Sequence, residues 1–185
     1  MEVFEAIHQR HTDGNVKQDA VPRALIEKLL AAAVQAPNHY KVRPWRFVVL
    51  TGNGLRRLGD VMAASSAERQ PDLPPEVMEK TRALPFRAPL IIAVGVDEPG
   101  EAKVKQIENI AAVAAACQNL LLAAHAAGLA VKWRTGGWAV DAKVKEFLGF
   151  SADQHLIAFL YIGYPANPVS YEPRPSFDDR TVWID

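Results

Sequence analysis

Apolar residues recur along this chain in two patterns, one typical of buried helix faces and one typical of buried strands. Spacings of three and four residues, as at Ile26, Leu29 and Leu30, predict helices with an apolar stripe that faces a core. Short continuous apolar runs, as over residues 90–96, predict strands that are buried on both faces. The pattern predicts helices over residues 3–9, 22–36, 55–66, 76–82, 104–127 and 141–148, and strands over 46–50, 90–96, 129–134 and 156–162.

Proline and glycine mark the ends of several of these elements. Pro22 suits the first turn of the second helix, where its missing N–H is not required, and Pro37 ends that helix. Gly128 stands where a left-handed residue commonly closes a helix, and Gly149 follows the helix over residues 141–148. Residues 37–45 are therefore predicted to form a loop between a helix and a strand.

Four predicted strands among six helices indicate a layered domain of the α/β or α+β class. A length of 185 residues suits one such domain. After residue 165 the chain is rich in proline and poor in apolar residues, which predicts a folded domain over residues 1–165 and an extended tail over 166–185. Because the tail cannot fold alone, we expect it to pack on its own subunit or on a partner subunit.

Charge and composition limit the class of partner. Lys plus Arg and Asp plus Glu both total 21, so the formal net charge is zero. Proteins that bind nucleic acid or anionic membranes normally carry a basic excess, so neither partner is expected, whereas zero net charge favours self-association. Gln118 and Asn119 interrupt the most apolar stretch, which makes it a poor membrane span. With Cys117 as the single cysteine and no signal-peptide pattern, the sequence predicts a cytoplasmic protein.

The sequence lacks motifs for self-contained catalysis. It contains no glycine-rich dinucleotide or P-loop motif, no His-Glu-x-x-His or Cys-x-x-Cys pattern and no Gly-x-Ser-x-Gly elbow. The five histidines are scattered, so no metal site is expected. Cys117 lies in an alanine-rich helix and is predicted to be a small buried hydrophobe. If the protein is an enzyme, we expect a bound cofactor to supply the chemistry.

Three separate segments carry groups suited to a flat, phosphorylated cofactor. Arg10 offers a fork of charged donors to a phosphate, and Thr12 offers a hydroxyl. Trp45 and Trp133 offer flat apolar faces, and the glycine pair 136–137 lets the backbone approach a ligand closely. Together these groups predict a binding site built from distant parts of the chain.

Simpler structural roles remain open for the same segments. Arg10 also suits the C-terminal end of a helix, and His39 also suits a loop in which it hydrogen-bonds to backbone. The two tryptophans also suit core anchors, and the glycine pair also suits a turn. Alanines within residues 111–116 predict close packing against another helix, within the subunit or across a dimer interface.

In their order along the chain, five segments resemble the nitroreductase family. They are residues 10–12, 36–39 leading into 44–47, 86–89, 116–120 and 133–136, all within residues 2–165. The resemblance implies an α+β fold, with a mixed, largely antiparallel sheet covered by helices, in an intertwined homodimer. It also implies FMN at the subunit interface, NADH or NADPH as reductant, and a nitroaromatic, quinone or related small molecule as acceptor. No ribose-reading motif distinguishes NADH from NADPH.

The resemblance also assigns cofactor-binding residues in three groups. Residues 10–12 match a segment that contacts the FMN phosphate and ribityl chain, and residues 37–39 match a loop that reaches the flavin from the other subunit. Thr135 and Gly136 match a strand end whose backbone faces the flavin N5, with Trp133 and Arg134 entering the same pocket. The predicted set is Arg10, His11, Thr12, Gln35, Pro37, Asn38, His39, Trp133, Arg134, Thr135 and Gly136.

The chain departs from the family pattern at several positions. Residues 13–15 stand where relatives commonly carry a second basic residue, Gln35 stands where close relatives carry Arg, and Arg43 replaces the usual Gln. Either positive charge has moved from position 35 to position 43, or the flavin contacts differ. Arg174 and Arg180 in the tail are further candidates for the phosphate.

The function implied by the resemblance is hydride transfer from NAD(P)H through flavin N5 to an acceptor, by a ping-pong mechanism and without a catalytic side chain. Two alternatives stay open. One is a flavin enzyme with other chemistry, either reductive dehalogenation or breakdown of the flavin. The other is a flavin-binding protein without turnover.

Overall fold

The computed structural model describes residues 1–100, 103–168 and 174–184. Within these ranges the chain forms seven helices and four strands. The helices are α1 Val3–Gln9, α2 Arg23–Ala33, α3 Asn53–Arg69, α4 Pro75–Arg82, α5 Gln106–Ala126, α6 Gly137–Val140 and α7 Ala142–Phe147. The strands are β1 Trp45–Thr51, β2 Leu90–Val96, β3 Ala130–Arg134 and β4 His155–Gly163.

The four strands form one sheet in the order β1-β2-β4-β3. Each neighbouring pair is antiparallel, with Trp45 opposite Val96, Val96 opposite His155, and Arg134 opposite Phe159. The predicted α+β class with a largely antiparallel sheet is confirmed. Among the described residues no strand pairing is parallel, and β1 and β3 form the two edges.

Helices cover both faces of the sheet, so the domain has two apolar cores. α2 and α5 pack on one face, where Leu29 and Leu120 meet inward residues such as Ile92. α3 and α7 pack on the other face, which contains Leu58 and Ile91. Adjacent strand residues point to opposite faces, which explains why an entirely buried strand such as β2 reads as a continuous apolar run.

The long helix α5 lies across the middle of the first core. Cys117 is fully buried there, and burial raises the pKa of its thiol to about 12, which confirms its role as a small hydrophobe. By length and composition alone α5 is one helix that could cross a membrane, but its inward face packs against the sheet. Its opposite side leaves Ile107 and Ala111 exposed.

Most predicted elements are confirmed, because their signals are local. The first helix and the second strand have the predicted limits, and Gly128 and Gly149 have φ values of 75° and 79°. Some details differ: Trp45 begins a strand instead of ending a loop, and α6 is an additional helix. α2 ends at Ala33, before the predicted residue 36, and α3 extends to Arg69, beyond the predicted residue 66. A four-residue helix is too short to show periodicity, which is why the pattern did not reveal α6.

The described part of the predicted tail contains little regular secondary structure. A short 3₁₀ turn over Asp178–Arg180 is its single regular feature within residues 174–184. Residues 169–173 and 185, including Pro173, lie outside the described residues. Val182, Trp183 and Ile184 are all exposed on this chain, so the tail's last apolar side chains pack on nothing within it.

Candidate cofactor site

A cavity of about 600 Å³ lies between the end of α1, the last turn of α5 and the start of β3. α1 places Arg10 at its wall, since the Arg10 amide closes the helix by bonding to the Ala6 oxygen at 3.0 Å. The cavity therefore has a cationic and polar side facing an apolar one. The polar side consists of His8, Gln9, Arg10, His11 and His125, and the apolar side of Met1, Leu121, Leu129, Ala130, Val131 and Pro165.

Arg10 carries a charge that no described carboxylate neutralises. Its Nε is buried without a hydrogen-bond partner among the described residues. Burial lowers the pKa of the Arg10 guanidinium, and the positive charge of Arg174 lowers it further. Because an arginine stays protonated in proteins, this environment favours a bound anion that would neutralise both groups. A phosphate fits that requirement.

Two histidines extend the polar wall. The rings of His11 and His125 meet edge to face with centroids 5.9 Å apart. His11 Nδ1 lies 3.0 Å from the Gln9 oxygen and can donate to it. Burial lowers the pKa of His125, and His11 and Arg10 lower it further against an opposing effect of Glu5. His125 Nε2 is buried without a partner among the described residues, so it too is available to a ligand.

His39 in the loop of residues 35–43 lies far from Arg10 within one chain. His39 Nε2 is 3.9 Å from Glu108 Oε1 in the first turn of α5, whereas Arg10 lies beside His125 in the last turn. Residues 108 and 125 are roughly 25 Å apart along the helix axis at 1.5 Å per residue. A single chain therefore does not bring the two predicted groups together, and two chains are required if both contact one ligand.

Side chains within this loop hold its shape. Asn38 Oδ1 accepts a hydrogen bond from the Arg43 amide at 2.8 Å, and Gln35 Nε2 donates to the Ala31 oxygen at 3.3 Å. Tyr40, Lys41 and Arg43 all have positive φ, a conformation that is costly for residues other than glycine and clusters at functional loops. Pro37 and His39 are exposed, as a loop that contacts a second chain requires.

The end of β3 separates Trp133 from Arg134. Trp133 packs against the first core and donates from Nε1 to the Ile157 oxygen at 2.9 Å. The Arg134 guanidinium lies on the other face, 5.4 Å from the centre of the Tyr161 ring, and its Nε is buried without a described partner. Within this chain the two side chains lie on opposite faces of β3, because adjacent strand residues alternate, and the expectation that both enter one flavin pocket stays a prediction. Trp133 is a core anchor.

Beyond β3 the backbone itself is presented to solvent. Thr135 and Gly136 are exposed, and Gly136 has φ 85° and ψ −158°, a region that essentially only glycine occupies. No atom outside its immediate neighbours lies within 4 Å of where a Cβ would stand. The segment therefore offers peptide groups that a flat ligand can approach closely.

The structure also sorts the remaining candidates. Arg174 lies beside Arg10 without lining the cavity, with Nη2 2.6 Å from the Arg10 oxygen, whereas Arg180 pairs with Asp179 at the surface. Thr12 is exposed beside the cavity wall without lining it. Sequence reasoning missed His125, whose only signal was its place in the last turn of the long helix. Among the described residues no group of three or more potential metal ligands occurs.

Comparison with known proteins identifies the family. The model of the nitroreductase family matches residues 7–164. A Methanothermobacter thermautotrophicus protein named as an NADH dehydrogenase/NAD(P)H nitroreductase is 32% identical over 191 residues, covering 100% of this chain and 87% of that protein. A nitroreductase-like protein from Bacillus cereus superposes with a TM-score of 0.85 at 25% identity, covering 100% and 97% of the two chains. A Desulfovibrio desulfuricans nitroreductase in complex with FMN superposes with a TM-score of 0.76 at 26% identity, covering 100% and 98%. The chain therefore belongs to the nitroreductase family.

Proposed function

We propose that this protein binds FMN in the cationic cavity and uses it to pass hydride from NADH or NADPH to a small-molecule acceptor. As a member of the nitroreductase family it is an NAD(P)H-dependent flavin oxidoreductase. Nitroaromatic compounds, quinones and related acceptors are the proposed substrates. The single observation that carries the proposal is the buried Nε of Arg10, which has no hydrogen-bond partner among the described residues and lies beside a second cation.

The residues at the cavity fit the phosphate end of FMN. Arg10 and Arg174 supply charged donors, His11 and His125 supply ring nitrogens, and Thr12 supplies a hydroxyl at the rim. β3 leads from Val131 at the cavity wall to Thr135 over roughly 13 Å, at 3.3 Å per residue, and Gly136 follows. The exposed peptides at that end suit the flavin ring.

Bound FMN supplies hydride acceptance and donation at N5. The protein's own residues bind the phosphate, orient the ring and shape the space above it. Arg134 at the end of β3 would offer its Nε, which has no described partner, to the bound cofactor, and the Trp133 indole holds the strand through its bond to the Ile157 oxygen. No described side chain is required as an acid, base or nucleophile.

The proposal includes a homodimer in which two chains complete each site. His39 and Arg10 lie at opposite ends of α5, so His39 is proposed to contact FMN in the partner subunit. Exposed apolar residues on α1 and in the tail supply surfaces for such an interface, among them Phe4 at 73% and Trp183 at 78% exposure. The tail over residues 166–185 is proposed to pack on the same or the partner subunit.

The proposed location of the protein is the cytoplasm. The proposed kinetic mechanism is ping-pong. Both NAD(P)H and acceptor must reach one atom of a flat ring, so each occupies the same face in turn. Because the two substrates bind in turn, double-reciprocal plots of rate against reductant concentration, at several fixed acceptor concentrations, should be parallel lines.

The test is reconstitution with FMN followed by a panel of quinones and nitroarenes, with NADH and NADPH compared under anaerobic conditions. Steady NAD(P)H oxidation with parallel lines supports the proposal, and intersecting lines overturn the ping-pong mechanism. Turnover of halogenated aromatics alone, or loss of the flavin itself, would assign the other flavin chemistry. Tight FMN binding without turnover on any acceptor would assign a flavin-binding protein, and failure to bind FMN would overturn the proposal altogether.

A further inference from the structure

A buried carboxylate joins three helices next to the exposed Gly136 backbone. Asp141 ends α6 and begins α7, and its side chain is only 4% exposed. Its Oδ1 accepts from the Val144 amide at 3.0 Å, which caps α7. Its Oδ2 accepts from Ser65 Oγ at 2.5 Å and pairs with Arg69 Nη1 at 3.1 Å. Both partners lie on α3, one turn apart, so α3 holds this carboxylate in place.

The same arginine also contacts the start of α6. The Arg69 guanidinium carbon lies 5.1 Å from the centre of the Trp138 ring. Trp138 is two residues after Gly136, and the Ala139 amide bonds back to the Gly136 oxygen at 3.0 Å. α6 is therefore held at Trp138 near its start and at Asp141 at its end, and Gly136 is tied to it.

Gly136 requires such support. Its φ of 85° with ψ of −158° is one of several conformations that glycine adopts with little strain, so the residue does not fix this conformation by itself. Among the described residues, no atom beyond its chain neighbours lies within 4 Å of the position that a Cβ would occupy. Packing on this side of Gly136 therefore does not restrain its backbone conformation. The restraint must come along the chain, and α6 is the element attached there.

We propose that Ser65, Arg69 and Asp141 are positioning residues that act through α6 to hold the peptides of Thr135 and Gly136 against the flavin ring. The proposal rests on the proposed function and adds residues that do not line the cavity. By holding α6 in place, these three residues set the orientation of the two peptides before the cofactor binds. The free-energy cost of ordering residues 135–136 when flavin binds is then smaller.

The alternative is that the cluster only joins α3 to α7. A second ion pair, between Lys143 and Glu68, joins the same two helices on the exposed side without contacting α6. Lys143→Ala is therefore the matched control, because it removes a bridge between α3 and α7 while leaving Trp138 and Asp141 in place.

The experiment compares Arg69→Ala and Ser65→Ala with Lys143→Ala in the full-length protein. Amide hydrogen exchange over residues 135–140 is measured without flavin, and riboflavin and FMN are titrated separately. We expect Arg69→Ala to speed exchange and to weaken the binding of both flavins by about tenfold, the lower end of the range for one lost hydrogen bond to a charged group, because Arg69 acts only through α6. Ser65→Ala should act in the same direction, and Arg69→Lys should restore part of the loss because it keeps a charge beside Asp141.

Equal exchange and equal riboflavin affinity in Arg69→Ala and Lys143→Ala would overturn the proposal. Faster exchange throughout the chain, not only over residues 135–140, would also overturn it, since that pattern reports general destabilisation. A parent protein that binds neither flavin overturns the proposed function instead, and the exchange measurement then decides whether the cluster holds α6.

Discussion

Arg174 Nη2 donates a hydrogen bond to the backbone oxygen of Arg10 at 2.6 Å, across a separation of 164 positions in the sequence. The contact brings a cation from the tail to a cation at the end of α1. Two guanidinium groups so placed repel each other, and the pKa of Arg10 is lowered in part for that reason. An anion between them would turn this repulsion into attraction, so the two residues form the strongest indication of a phosphate site.

The first prediction concerns Arg10. Arg10→Ala should weaken FMN binding by roughly 10- to 150-fold, which corresponds to about 1.5–3 kcal/mol for a hydrogen bond to a charged group. Riboflavin lacks the phosphate and should bind the variant and the parent equally. Arg10→Lys should recover only part of the loss, because a point charge lacks the arginine fork. Titration of both flavins into the apo proteins measures this, and an equal loss for both would move the phosphate to another residue.

The second prediction tests whether each site draws on two chains. Arg10→Ala and His39→Ala proteins should each bind FMN weakly as homodimers. When the two variants are mixed and exchange subunits, heterodimers form with one chain of each variant. In each heterodimer one FMN site contains both substitutions and the other site contains neither. Tight FMN binding should then reappear at about a quarter of the sites. No recovery after demonstrated exchange, or a stable monomer that retains flavin, would contradict the shared site.

The third prediction concerns backbone conformation at Gly136. Gly136→Ala should lower the free energy of unfolding by about 1–3 kcal/mol, because its φ and ψ are costly for any residue with a Cβ. Gly137→Ala is the matched control, since it also meets no atom within 4 Å but begins α6 with an ordinary φ. Urea unfolding of both variants measures the difference. Equal stability would show that Gly136 does not hold this conformation.

The fourth prediction concerns acid pH. The pKa of His125 lies below its ordinary value of 6.5 in the folded protein, chiefly through burial. The unfolded chain therefore binds a proton more readily, so the stability that neutral His125 contributes is present above 6.5 and is lost as the pH falls. When the pH is lowered from about 7.5 to about 5, the free energy of unfolding, measured by urea unfolding, should fall more for the parent than for His125→Gln. The exposed-site variant His155→Gln should behave as the parent does, and identical losses in all three would contradict the assignment.

Local signals in the sequence determined the elements of this fold. The spacing of apolar residues depends only on helix and strand geometry, so it identified α5 and β2 without knowledge of their neighbours. Proline and glycine act on the backbone of their own turn, which is why Gly128 was identified as a left-handed position. The order of short motifs likewise indicated the family and several residues of the candidate site.

Only the tertiary structure decided how those elements meet. It separated Trp133 from Arg134 by placing cores on both faces of β3, and it set Arg10 beside Arg174 and His125. It also placed Arg69 against Trp138 and Asp141, contacts between residues about 70 positions apart. Such contacts depend on how the whole chain packs, and burial then determines which charges interact strongly. Local sequence determines the periodicity of each element, whereas long-range packing determines which polar atoms are left without partners.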